Sequence, residues 1–192
     1  MMWRWLWMVV LLLGLQGCKQ PEPFVATDIT GSAIGGDFSL VDFNGKARKL
    51  ADFKGKLVVL FFGYTHCPDV CPVTLGELAT VRKRMGEDFR DVQVLFVSAD
   101  PARDTAAVLR QYVTYFSPDF LGLRAEGAAL AQFKANYKLV GEAQKPDANG
   151  NYAVDHSAAS FVLDRQGRAR LMVPLGHGTE NWVHDLKLLL AE

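Results

Sequence analysis

The stretch that most narrows what this chain can fold into is Gly63-Tyr64-Thr65-His66-Cys67-Pro68-Asp69-Val70-Cys71-Pro72, because of what stands on either side of it. Before it, Leu57-Val58-Val59-Leu60-Phe61-Phe62 is an unbroken apolar run rich in β-formers. A strand covered on both faces reads this way, whereas a strand with one wet face alternates. After it, Val73, Leu75, Leu78, Val81 and Met85 carry apolar side chains at helical spacing. A buried strand therefore delivers two cysteines to the start of a helix. Pro68 and Pro72 push Cys67 and Cys71 out of the α region, and Pro72 suits the first helical position. On this reading Cys71 is the N-cap of a helix over 72–86 and Cys67 stands one tight turn earlier. Both sulfurs then face one space, near a helix N-terminus that favours thiolate. Asp69, between them, opposes that effect.

The rest of the chain fits around this unit. Asn44-Gly45 marks a hairpin between residues 37–43 and 46–53. Val92 to Val97 is a second apolar strand, so strand, helix and strand imply a parallel pair. Helices are predicted over 106–116, 126–138 and 179–190, and strands over 160–163 and 169–173 around Asp164-Arg165-Gln166-Gly167. In Ser98-Ala99-Asp100-Pro101-Ala102-Arg103-Asp104-Thr105, Asp100 and Asp104 suit capping roles. The order ββ-βαβα-(α)-ββα is that of an α/β thioredoxin-like fold, a central mixed sheet flanked by helices. It carries an added N-terminal β-hairpin and an insertion before the last hairpin.

Bulk properties exclude several classes. The 192 residues suffice for one well-filled domain. Of the 21 Lys and Arg only Arg4 lies in the leader, which leaves 20 against 21 Asp and Glu, a net charge of −1. No basic patch suggests nucleic acid. Three cysteines, one of them near the N-terminus, provide no disulfide framework. Arg4 precedes nine apolar residues, Trp5 to Leu13, a secretory layout too short for an ordinary spanning helix. Leu15-Gln16-Gly17-Cys18 resembles the lipobox of bacterial lipoproteins. The expectation is a signal peptide over 1–17, lipidation at Cys18, a tether over 18–34 and the domain over 35–192. That places the domain on the extracytoplasmic side of a bacterial membrane.

Two cysteines on such a frame serve dithiol exchange or metal binding, and the spacing discriminates weakly. Thioredoxin-type oxidoreductases put two residues between their cysteines and a proline opposite them. Here there are three, and the opposing position reads Val154-Asp155-His156-Ser157-Ala158-Ala159. Two thiolates and an imidazole suit Cu(I), or Cu(II) with a further ligand, and are one ligand short for closed structural zinc. A peroxidase reading would lean on Arg103, the one motif arginine available.

GYTHCPDVCP, then SADPARDT, then YAVDHS at 152–157, together resemble the Sco/SenC family of copper-binding thioredoxin-fold proteins. The resemblance runs from about Gly36 to the C-terminus. It implies copper as the cargo, with Cys67, Cys71 and His156 as ligands. It also implies a metallochaperone that assists assembly of the CuA centre of cytochrome c oxidase. The oxidase's copper-binding subunit would be the recipient, and another periplasmic copper carrier or thiol reductant a further partner. The alternative is an enzyme, a thiol-disulfide reductase acting through Cys67 and Cys71 on the recipient's cysteines. Asp155 reads either as the partner that fixes the His156 tautomer or as a turn or cap residue, Asp69 is expected to stand beside the thiols, and His66 to tune them without ligating. His177 and His184 read as packing or surface residues.

Overall fold

The computed structural model describes residues 22–192. Ten strands and four α-helices follow in the order β1 Thr27–Asp28, β2 Ser39–Asp42, β3 Ala47–Lys49, β4 Leu57–Gly63, α1 Val70–Met85, β5 Val92–Ser98, α2 Ala106–Phe116, β6 Leu121–Arg124, α3 Gly127–Tyr137, β7 Gly141–Ala143, β8 Val154–His156, β9 Ser160–Leu163, β10 Ala169–Val173 and α4 Thr179–Leu190. Eight strands form one sheet in the order β1-β10-β9-β4-β5-β6-β2-β3, and β7 and β8 form a separate two-stranded sheet. β4, β5 and β6 run parallel at its centre. β9 is antiparallel to β4, and β2 is antiparallel to β6.

Every residue of β4 is buried, because both faces of the sheet are covered. Successive strand side chains point to opposite faces. Leu57, Val59 and Phe61 meet Leu75, Leu78 and Val81 of α1, Leu109 and Val113 of α2, and Trp182, Leu186 and Leu189 of α4. Val58, Leu60 and Phe62 meet Phe133 and Tyr137 of α3, with Phe38 and Phe53. This double covering is the reason the run carries no polar residue.

Several boundaries differ from the sequence expectation. α1 begins at Val70 with Asp69 as its N-cap, so Cys71 lies inside the first turn and Pro72 is its third residue. The first helical amide bond is Val73 N–H to Asp69 O, at 3.3 Å. The amides before it have no intrahelical acceptor in any helix, so proline's missing N–H costs no ladder bond there. Part of the expected tether is folded: β1 pairs with β10, and the Val25 and Ala26 amides donate to Asp185 at 2.8 Å each. Asp100 and Asp104 do not cap α2. Thr105 does, its hydroxyl accepting from Val108 N–H. The short strands β1, β6, β7 and β8 lack a sequence signal of their own. Residues 1–21, with the leader and Cys18, lie outside the described residues.

Candidate metal centre

β4 ends at Gly63, and the chain turns through Tyr64–Cys67, with Cys67 N–H donating to Tyr64 O at 3.2 Å. Asp104 ties this turn to the end of β5. Its carboxylate accepts from the Thr65 hydroxyl at 2.6 Å, the Thr65 amide at 3.3 Å and the Ser98 hydroxyl at 2.6 Å. Burial pushes the Asp104 carboxyl pKa up, against those hydrogen bonds. The sequence missed this role, since a buried carboxylate and a cap read alike in one dimension.

Cys71 is fully enclosed and Cys67 is 8 % exposed, so Cys67 is the outer sulfur. Both are free thiols. Burial, aided by the neighbouring Cys67, pushes the Cys71 thiol pKa far above its ordinary value, although the Tyr64 backbone opposes the shift. The expected preference for thiolate at the helix N-terminus is therefore overridden at Cys71 by desolvation. A metal bound there must displace a proton.

β8 brings His156 to the same place from 85 residues away. Its Nε2 stands 3.4 Å from Cys71 Sγ. Its Nδ1 stands 3.1 Å from the Val154 carbonyl oxygen. A carbonyl accepts only, so Nδ1 carries the proton and the Nε2 lone pair faces the thiol. The Tyr64 ring meets the imidazole edge to face, with centroids 5.3 Å apart at 88°. One ligand atom from each of Cys67, Cys71 and His156 lies within 4.8 Å of the others, the one such group among the described residues. Bonds of about 2.0–2.3 Å to nitrogen and sulfur ask for ligand atoms near 4 Å apart, so the trio fits a single soft ion.

Other expected neighbours stand elsewhere. Asp155 points away from the ring and accepts from Gln144 Nε2 at 2.9 Å, because adjacent strand residues face opposite ways. The Val154 carbonyl fixes the tautomer instead. Asp69 is exposed and makes no side-chain cap bond. His66 is exposed, its Nδ1 3.1 Å from the Thr65 hydroxyl, outside the trio. Arg103 pairs with Asp100 rather than with a sulfur. His177, by contrast, is buried against Asp185, its Nε2 3.1 Å from Oδ2. His184 Nε2 approaches the Pro23 carbonyl at 3.1 Å.

Two thiols and an imidazole converging where the central strand of a thioredoxin-like sheet meets its helix define a thioredoxin-fold domain with a soft metal-ligand set. Its relatives carry the same frame. The chain belongs to the SCO1/SenC family, whose model matches residues 26–191. It is 42 % identical over 139 residues to the mitochondrial SCO2 homolog of Bos taurus, covering 71 % of this chain and 52 % of that protein. The chain thus spans about half the length of the curated relatives it matches. Among solved structures, Bradyrhizobium japonicum ScoI with copper bound is 40 % identical with a TM-score of 0.75, covering 81 % of this chain and 99 % of that one. Apo Sco1 from Thermus thermophilus is 34 % identical with a TM-score of 0.78, covering 90 % and 99 %.

Proposed function

We propose that this protein is a copper metallochaperone that holds one copper through Cys67, Cys71 and His156. It passes the ion to the copper-binding subunit of cytochrome c oxidase during assembly of the CuA centre. The observation that carries this reading is the His156 ring, whose Nδ1 is occupied by Val154 O while Nε2 faces Cys71 Sγ at 3.4 Å. Disulfide exchange does not require an imidazole aimed in this way, whereas a soft ion uses it as a ligand. The copper-bound state of the Bradyrhizobium relative supports copper as that ion. Of the three ligands, the outer Cys67 is where a recipient thiol would begin to replace this chain's own. Anaerobic titration of the reduced domain with Cu(I) tests the reading, with X-ray absorption to count the scatterers. One copper per chain with two sulfurs and one nitrogen is expected. No tight site, or one without sulfur, would overturn it.

The tether belongs to the same proposal. Cys18, following Leu15-Gln16-Gly17, is acylated and holds the domain on the extracytoplasmic face of the bacterial envelope. Among the described residues no helix is long and apolar enough to cross a membrane. Mass analysis of the mature N-terminus is expected to find a lipid on Cys18; an unmodified chain beginning elsewhere sinks the idea.

A second reading rests on the proximity of the two free thiols, which could cycle with a disulfide and reduce the recipient's cysteines. Counting reactive thiols after exposure to air tests it. Loss of both together supports the reading, and two persistently reactive thiols count against it.

A further inference from the structure

The ligand set leaves unused the Asp100–Asp104 run and the tyrosine four residues before His156. Both matter for a single geometric reason. β7 and β8 pair only with each other, Gly141 opposite His156 and Ala143 opposite Val154, and join no strand of the large sheet. Their ladder fixes His156 relative to β7. It does nothing to fix the hairpin relative to Cys67 and Cys71.

Val154 of β8 is buried in the core beside both cysteines, and Arg103 adds a second, directional link. Its guanidinium carbon stands 3.6 Å from the centroid of the Tyr152 ring, and Nη1 donates to the Tyr152 carbonyl at 2.9 Å. Its Nε pairs with the Asp100 carboxylate, which also accepts from the Tyr152 hydroxyl at 3.0 Å. The same guanidinium lies 5.8 Å from the Tyr64 ring. Tyr64 in turn packs edge to face on the His156 imidazole, three residues before Cys67. The planar cation thus touches the loop segment that leads into β8 and the turn that presents the outer sulfur. Arg103 Nη2 is buried without a partner. Stacking on Tyr152 and the two bonds from Nε and Nη1 together hold the guanidinium there.

We propose that Arg103 is a positioning residue for His156: stacked on Tyr152 and set against Tyr64, it holds the β7–β8 hairpin at the distance that brings Nε2 to the sulfurs. The proposal rests on the reading of Cys67, Cys71 and His156 as copper ligands. Lysine keeps the charge but loses the plane and one of the two directed donors, so it restores the function only in part.

The test compares the full chain with Arg103→Gln, Arg103→Lys, Tyr152→Phe and Tyr152→Leu, and with His156→Ala as reference. In the metal-free protein, amide exchange of residues 152–157 in Arg103→Gln is expected to quicken about ten-fold while β4 and β5 keep their protection. Arg103→Lys should fall between, Tyr152→Phe near wild type, and Tyr152→Leu with Arg103→Gln. With Cu(II) bound, the nitrogen signature of His156 in electron paramagnetic resonance should weaken in the same order. Wild-type exchange and an unchanged copper spectrum in both Arg103→Gln and Tyr152→Leu would overturn the proposal. If Arg103→Gln loses protection throughout the sheet, Tyr152→Leu decides, since it leaves the pairing of Arg103 with Asp100 in place. Should His156→Ala leave the copper spectrum untouched while Arg103→Gln still loosens the hairpin, the ligand reading fails and the positioning stands.

Discussion

Gly63 lies so close under Cys71 that a β-carbon built on it would come within 2.5 Å of Sγ and 3.1 Å of Phe96 Cε2. Only a residue without a side chain lets the end of β4 pass beneath the inner sulfur. Gly63→Ala is expected to destabilise the domain by about 1–3 kcal/mol through overpacking. It should also weaken copper binding, because Sγ is what must shift. Urea unfolding with a parallel copper competition assay checks both. Unchanged affinity would mean that the sulfur relaxes without losing its place.

Replacing His156 with alanine separates carrier from reductase. Two sulfurs and their turn remain, so Cu(I) binding weakens in part. Cu(II), less soft and more dependent on nitrogen, should lose affinity by about 10–100-fold or more, along with its charge-transfer band. Exchange with a small disulfide should change little, since it depends on the thiolates. Oxidase assembly should fail. Full support of assembly by this variant would favour the reductase reading.

The metal-free protein should lose stability as pH rises above about 9. Burial raises the Cys71 thiol pKa in the folded state, whereas in the unfolded chain the thiol releases its proton near its ordinary value of 9.0. Above that value the folded state binds more protons than the unfolded one, so the unfolding free energy falls with pH. The contribution is at most about 1.4 kcal/mol per pH unit for one group. Burial raises Tyr112 and Tyr137 as well, which extends the loss above about 10. Chemical denaturation between pH 8 and 10 checks the sign; Cys71→Ser should flatten the slope between about 9 and 10.

Asp185 is nearly inaccessible and holds the Val25 and Ala26 amides together with His177. Asp185→Ala leaves the buried Ala26 amide and His177 without their partner and is expected to cost about 3 kcal/mol. Proteolysis should then cut before β2 in the variant at concentrations that spare the parent. Equal resistance would show that β1 pairing alone secures the segment.

Where neighbouring residues dictate the outcome, the sequence was legible. The buried strand 57–62, the helix at 106–116, the strands at 160–163 and 169–173 and the helix at 179–190 carry their own periodicity, and the structure has them there. β6, β7 and β8 run for three or four residues with no alternation to read, and only long-range pairing makes them strands. The convergence of Cys67, Cys71 and His156 was legible as a motif. That Asp155 turns away and the Val154 carbonyl takes its place follows from strand alternation, which could be applied only once β8 was known. The burial of His177 against Asp185 has no local signature at all.

The register of β1 has a mechanical consequence. Thr27 pairs with Met172, next to Val173, which stands level with Ser160 and so with Phe61, just short of the cysteine turn. β10 and β4 are both antiparallel to β9, so the chain joins the sheet at the end that carries the sulfurs. Were Cys18 the anchor, only residues 19–23 would separate the lipid from Phe24, already packed on the core. Fully extended, that leash reaches no more than about 20 Å. The copper end of the domain would then work on a short radius, close over the bilayer, and could serve only a recipient that presents its own site at that height.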